Sequence, residues 1–283
     1  MWFLDALVSG FQTPTDPARI QWFRFITGLA CTYRFAIACG HGGWNRYAPE
    51  SLSSAVLRER LGDVRFTVFA RAYQPVLAAR IVPAFTLAAG FLPHLSALLV
   101  LAGLAFELIS IKSPNSIRFA LLAVTCLLTA PDLGSGPVIR HASTSHNTWA
   151  QWLMVLITID VYWNSAWHKA HSAQFRSGRY LAQWVHVYAQ VKNQLPYREH
   201  WIPAVIRTRL GTLSDGNVAV WRAVAVAVIA LEVALPAALL APPTRPYAIA
   251  VGIAMHAGFC CLKPRQLIFF SSLTIGSYVL FAA

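Results

Sequence analysis

The sequence predicts an all-α membrane protein, a polytopic bundle of about eight transmembrane helices with further amphipathic helices at the interface. Of its 283 residues, 57% are hydrophobic and 12% are charged, whereas soluble domains contain about 45–50% apolar and about 25% charged residues. The apolar residues also form runs of roughly 17–25, the length that crosses a hydrocarbon core of about 30 Å. We therefore expect a multi-pass protein of the cell membrane with a single integral membrane domain over residues 1–283 and no soluble C-terminal domain.

Apolar runs place the transmembrane helices. The predicted spans are residues 19–39, 74–92, 94–111, 116–130, 148–167, 217–241, 247–262 and 266–281. The second run is the weakest, because Arg80 and Pro83 interrupt it. Residues 41–71, centred on RERLGDVR, are predicted to form an amphipathic interfacial segment, and residues 131–147 a flexible loop. Residues 180–191, YLAQWVHVYAQV, are predicted to form an interfacial helix, since a long loop without structure is unusual.

The formal net charge is +12, but the basic residues lie in loops between apolar runs and not on a soluble module. Such residues act as topology signals and contact lipid headgroups. We therefore expect the lipid bilayer as a partner and no nucleic acid. The excess of positive charge on one side predicts that the basic loops face the cytoplasm and that both termini lie outside.

Residues 160–178, DVYWNSAWHKAHSAQFRSG, form the most informative stretch. Polar groups within the membrane each cost about 2.5–3.5 kcal/mol on insertion scales, so such a cluster indicates a site. At about 100° per residue one helical stripe carries Asp160, Trp163, Asn164, Trp167 and His171, with His168 beside it. Lys169 lies half a turn away and stacks with Ser165. In an unbroken helix Asp160 and Lys169 would therefore point into different spaces.

Other ionisable residues lie inside predicted spans, namely Glu107, Glu232, Arg34 and His256. Each could have a structural role, with Arg34 paired to a carboxylate or His256 bonded to a carbonyl group. As a set they favour a functional site, because ionisable groups are costly in lipid. The ten tryptophans suit a membrane interface, or a pocket whose rings stabilise a cationic intermediate.

The stretch around Lys169 resembles the signature of the vitamin K-dependent gamma-carboxylase family and its bacterial relatives, the horizontally transferred transmembrane (HTTM) proteins. The matching residues are Tyr162, Trp163, Lys169, Phe175 and Gly178. Residues 22–30, 112–136 and 231–259 also resemble the first-helix Arg and Gly, the Asn-containing turn, and the late Glu, Arg and His of the family. The resemblance covers nearly the whole chain.

The resemblance implies that Lys169 corresponds to the base that deprotonates vitamin K hydroquinone in the carboxylases. Two departures concern this stretch: His168 stands where the carboxylases commonly carry a lysine, and one extra residue separates the tyrosine from the lysine. We also expect no counterpart of the large C-terminal lumenal region that captures the peptide substrate in the carboxylases. Stand-alone bacterial relatives include membrane terpene cyclases, and the buried acids and the tryptophans suit such chemistry better.

We therefore expect an isoprenoid (terpene) cyclase that acts on a hydrophobic, prenylated substrate. Asp160 or Glu107 would donate the first proton, and Glu232 or His256 would be the second polar member. Trp163 and Trp167 would face the carbocation, and Lys169 would serve as a base or a structural charge. Asn164, His168, His171 and Arg34 are the further candidates for substrate binding. We expect no cofactor and no metal, since the acidic motifs of magnesium-diphosphate sites are missing from the sequence.

Two alternatives remain open. A carboxylase-like enzyme would use Lys169 as base, with vitamin K hydroquinone, O₂ and CO₂. In that case Lys169→Ala would abolish activity and Asp160→Asn would be mild, while the cyclase predicts the reverse. A non-enzymatic factor for toxin maturation or immunity would instead use the polar stretch to bind a partner.

Overall fold

The computed structural model describes residues 5, 8, 16–40, 43–48, 50–110, 115–136, 149–191 and 201–281. The regular structure within these ranges is helical, and no strand occurs in them. The all-α prediction is confirmed for this part of the chain. The chain divides into two compact units, residues 12–151 and residues 152–283 with residues 1–11.

The unit of residues 12–151 contains six helices with defined bounds. They are α1 (Ala18–Gly40), α2 (Leu52–Leu61), α3 (Asp63–Ala79), α4 (Ile81–Ala89), α5 (Pro93–Ser110) and α6 (Asn115–Thr129). The long helix α1 packs along α4, and α5 packs along α6. Gly28 of α1 lies directly against the backbone of Ala88, where a side chain would collide. This contact brings the two helices close together.

The predicted second span, residues 74–92, is wrong as one continuous helix. Helix α3 ends at Ala79 and α4 begins at Ile81, with Arg80 between them. Pro83 has no N–H to donate to the carbonyl of Ala79, which favours a break at this point. The Arg80 side chain is 5% exposed. The predicted interfacial segment is also divided, since α2 ends at Leu61 and α3 follows after Gly62.

The unit of residues 152–283 contains the rest of the helices. They are α7 (Trp149–His171, whose first turn precedes the unit), α8 (Ala173–Arg176), α9 (Arg179–Val191), α10 (Ala204–Leu210), α11 (Asp215–Leu240), α12 (Arg245–Leu262) and α13 (Pro264–Ser277). A 3₁₀ turn, Tyr278–Leu280, follows α13. Helix α12 packs between α11 and α13. Helix α11 is the longest of these helices, with 26 residues, and contains Pro236 in its interior.

Helix α9 confirms the helix predicted for residues 180–191, one residue longer at its start. Its buried residues, Leu181, Ala182, Val185 and Tyr188, form an apolar core with Ile202, Trp221 and Ala225. The turn before α9 contains Gly178 at φ +75°, packed against the backbone of Trp221 and Arg222. A residue without Cβ allows both the positive φ and this close approach to α11. The location of α9 at a membrane interface stays a prediction.

Two of the described helices, α11 and α12, are long and apolar enough to cross a membrane. At about 1.5 Å per residue, α11 extends for roughly 39 Å and α12 for roughly 27 Å, close to the hydrocarbon thickness. The apolar helices at residues 93–109, 115–129 and 267–280 are shorter. Helices occupy the predicted runs, but the full set of about eight spans stays a prediction.

Candidate functional site

Helix α7 is continuous from Trp149 to His171, so its faces follow the ordinary helical spacing. Ser165 and Lys169 lie one turn apart, and Lys169 Nζ donates a hydrogen bond to Ser165 Oγ at 2.8 Å. This confirms the predicted stacking of the two side chains. Their face of α7 meets α11, where Lys169 forms a salt bridge with Glu232 Oε1. Ser165 Oγ also donates to that carboxylate oxygen, at 3.2 Å.

The Lys169–Glu232 pair is largely removed from solvent. The Glu232 side chain is 3% exposed and that of Lys169 is 24% exposed. Both hydrogen bonds of the carboxylate go to Oε1, while Oε2 is buried without a hydrogen-bond partner among the described residues. An ionised carboxylate has about four lone-pair sites for hydrogen bonds. Oε2 therefore retains the capacity to accept a proton or a hydrogen bond.

Aromatic rings surround the ammonium group of Lys169. Its Nζ atom lies 5.7 Å from the ring centroid of Phe175 and 5.4 Å from that of Phe259. Rings at such distances attract a cation through their quadrupoles. Phe175 follows α7 in the chain, and Phe259 belongs to α12. Two further elements thus help to hold the charge at the place where α7 meets α11.

Ser165, Lys169 and Glu232 lie on the wall of a cavity of about 890 Å³ in the unit of residues 152–283. Its wall also contains six aromatic rings, those of Phe175, Tyr180, Trp184, Trp221, Phe259 and Phe270. We call it the aromatic cavity. Sites for small molecules are commonly apolar, with volumes of about 300–1,000 Å³ and a few polar groups that orient the ligand. The aromatic cavity has this character.

A buried polar network lies beside this wall. His256 Nε2 is 2.8 Å from the Tyr162 hydroxyl, and His256 Nδ1 is 3.0 Å from Ser271 Oγ. The Tyr162 hydroxyl also hydrogen-bonds to that of Tyr278. Both ring nitrogens of His256 are therefore satisfied within the protein. His256 does not line the aromatic cavity, although Met255 and Phe259 of the same helix do.

The stripe predicted to hold substrate lies on another side of α7. Asp160, Trp163, Asn164, Trp167, His168 and His171 are all exposed, and none of them lines the aromatic cavity. Asp160, expected as a proton donor, therefore does not line the cavity that contains Glu232, and the continuous helix keeps it apart from Lys169 as the spacing predicted. The physical reason is the helical spacing, which puts this stripe on a different face from Ser165 and Lys169, the side chains that bond to Glu232. Trp163 reaches α11 outside the cavity, where its Nε1 donates to the carbonyl of Val233 at 3.2 Å.

Glu107 and Arg34 belong to the other unit and form a buried ion cluster with Arg80. Arg34 Nε donates to Glu107 Oε1 at 3.0 Å, and Arg80 Nη1 donates to Glu107 Oε2 at 2.9 Å. The guanidinium of Arg80 also lies over the ring of Phe35, 4.3 Å from its centroid. Both carboxylate oxygens of Glu107 thus accept bonds from arginines. This arrangement corrects the expected role of Glu107 as proton donor and that of Arg34 as substrate ligand.

Several residues of the aromatic cavity were not named as site candidates, and its tryptophans counted only among the ten that could line a pocket. Trp184, Trp221 and Phe270 lie on three different helices, and their convergence depends on the tertiary fold. A signal for Phe259 and Lys263 was present, since residues 255, 259 and 263 share one helical face by their spacing of four, and all three line the cavity. Within the described ranges, no three side chains of His, Cys, Asp or Glu come together in a way that could hold a metal ion.

Comparison of the chain with models of protein families, with curated proteins and with solved structures gave no match.

Proposed function

We propose that this chain is a membrane enzyme that transfers protons on an apolar, isoprenoid-bearing substrate, with the Lys169–Glu232 pair as the reacting groups. The observation that carries the proposal is the place of this pair on the wall of the aromatic cavity. A charged pair in an apolar site is costly to desolvate. Perturbed ionisable groups in a cleft are typical of acid–base catalysis.

The reaction that this geometry supports best is deprotonation of a weakly acidic hydroxyl, such as that of a quinol. Glu232 Oε2, which has no partner among the described residues, would accept the proton as the O–H bond breaks. The electron pair would stay on the substrate oxygen, and the ammonium of Lys169 would stabilise the anion. Fixed charges that face a developing charge are among the strongest catalytic devices of proteins. This favours a carboxylase-like reaction with changed roles, in which Glu232 is the base and Lys169, the base in the alternative described above, is its electrostatic partner.

Terpene cyclisation is the second candidate function, and the six rings of the aromatic cavity favour it. Aromatic faces stabilise carbocations in a dry site, and Glu232 could remove the last proton. The first proton needs another donor than Asp160 or Glu107, because Asp160 is exposed outside the cavity and Glu107 is held by two arginines. For this reason we rank it below deprotonation.

Membranes that contain the wild type, Lys169→Ala, Glu232→Gln or Asp160→Asn test the proposal. Each would be incubated with reduced quinols and with prenylated alkenes, and the products would be followed by mass spectrometry. We expect Lys169→Ala and Glu232→Gln to lose activity by about 10²-fold or more, and Asp160→Asn to keep it. Loss of activity in Asp160→Asn with full activity in Lys169→Ala would contradict the proposal. An isomeric product from an alkene would favour cyclisation. Loss of a proton alone leaves no new product, so the quinol incubations contain O₂, which reacts with the quinol anion, and an oxygenated product would favour deprotonation.

A further inference from the structure

A second lysine lines the aromatic cavity. Lys263 lies at the turn between α12 and α13, and its Nζ atom is 4.0 Å from the ring centroid of Trp184. Among the described residues no acidic side chain lies within ion-pair distance of it. Lys169, in contrast, is neutralised by Glu232. The cavity wall therefore carries one cation without a counter-charge among the described residues.

Lys263 lies close in the chain to a ring that contacts the reacting pair. Phe259, whose ring lies under Lys169, precedes Lys263 by four residues, or roughly 6 Å along a helix axis. The backbone N–H of Lys263 donates to the carbonyl of Phe259 at 3.2 Å, which continues the helical pattern to this point. Lys263 thus follows by one helical turn a residue whose ring contacts Lys169, and both lysines lie on the wall of the same cavity.

A backbone hydrogen bond holds the part of the cavity wall beside Lys263 in place. The backbone N–H of Trp201 donates to the carbonyl of Cys261 at 2.8 Å, which anchors the segment that supplies Ile202 and Pro203 to the cavity. With Trp184 under its ammonium group, Lys263 is half-buried, and its charge is less well solvated than that of a surface lysine. In such a setting a charge interacts more strongly with an ion of opposite sign.

We propose that the aromatic cavity binds an amphipathic anion, an isoprenoid-like molecule with one acidic group, either a carboxylate or a phosphate, that pairs with Lys263. This inference rests on the proposed function, since it takes the cavity as the substrate site. Lys263 is a positioning residue for the bound molecule, and Lys169 and Glu232 act on it. The apolar part of the molecule contacts the rings, and the acid at Lys263 fixes which end lies near the reacting pair.

Binding to the purified full-length protein in uncharged detergent tests the inference without any need for turnover. The probes are farnesoic acid, farnesyl monophosphate and uncharged farnesol, followed by tryptophan fluorescence and by calorimetry. We expect the wild type to bind at least one of the two acids about tenfold more tightly than farnesol. Lys263→Gln should remove this preference while leaving farnesol binding unchanged, and Lys263→Arg should keep it.

Equal affinity of the wild type for farnesol and both acids would overturn the inference, as would an acid preference that survives in Lys263→Gln. Thermal unfolding of each variant identifies loss of fold, and in that case the comparison of probes on the wild type still decides. The two acids separate carboxylate from phosphate recognition. The control is the double variant Lys169→Met/Glu232→Met, which removes the reacting pair without changing the net charge of the cavity wall. It should keep the acid preference even though it abolishes turnover. Failure of acid binding and failure of the proposed reaction are thus distinguishable.

Discussion

The Lys169–Glu232 pair is a buried ion pair, and the proposed function gives the same two side chains a chemical role. Removing one partner of a buried pair leaves the other charge uncompensated, which costs about 3–5 kcal/mol, whereas replacing both with apolar groups of similar volume is often close to neutral. Stability and activity should therefore separate in a set of variants at these two positions.

We expect Lys169→Met alone to lower the free energy of unfolding by about 3 kcal/mol, because Glu232 remains buried without its cation. The double variant Lys169→Met/Glu232→Met should recover to within about 1 kcal/mol of the wild type. Activity should be absent from both. Unfolding in detergent and turnover measured on the same preparations check this. Activity in the stable double variant would exclude a role of the pair in catalysis.

A change in the Glu107 cluster should lower stability and leave activity unchanged. The cluster lies in the other unit, and the bonds described above join it to side chains of that unit. Glu107→Gln should cost about 3–5 kcal/mol, because Arg34 and Arg80 lose their counter-charge. Activity per folded molecule should be unchanged. The control is Asp63→Asn, which breaks an exposed pair of 3.5 Å with Arg58 and should cost less than about 1 kcal/mol. A loss of activity at unchanged stability would restore Glu107 as a candidate proton donor.

At the scale of elements, the turn at Gly178 lies between α8 and α9 and packs against α11, the helix that carries Glu232. Gly178→Ala would introduce a Cβ at positive φ and against the backbone of α11. We expect it to cost about 1–3 kcal/mol or more and to lower the thermal unfolding temperature. Gly216→Ala is the matched control, since nothing lies within 4 Å of its added Cβ and alanine favours helix. Equal effects of the two changes would show that the turn does not depend on this contact.

The positions of the helices could be predicted from the sequence more readily than their contacts. Apolar runs placed α1, α5, α7, α11 and α12 to within a few residues, because the pattern depends on local composition. Arg80 and Pro83 marked the second run as interrupted, but the partner that holds the buried Arg80, a carboxylate 27 residues away, was not predicted. Helical spacing separated Asp160 from Lys169 and paired Lys169 with Ser165. Which of the two faces meets α11 is a tertiary property, and no single-helix pattern contains it.

At the scale of the whole molecule, α11 and α12 form an antiparallel pair of membrane-length helices joined by a short turn at Pro242 and Pro243. The charge distribution predicts this turn outside and the start of α11 in the cytoplasm. In a variant without the five native cysteines, Pro243→Cys should react with an impermeant thiol reagent in intact cells, and Leu213→Cys only after lysis. Both positions are exposed. The reverse pattern would invert the orientation, and equal labelling before lysis would exclude a membrane span in α11.

Pro236 lies four residues after Glu232, inside the longest helix of its unit. Since proline has no N–H, the main-chain oxygen of Glu232 cannot receive its usual bond from position 236. The residue that holds Lys169 therefore sits at a turn of α11 that lacks one main-chain hydrogen bond, the kind of place where helices kink. A slight flexing of α11 about this hinge would alter the reach of the carboxylate. Pro236→Ala, which restores the bond, would stiffen the hinge and fix the distance between the two charges.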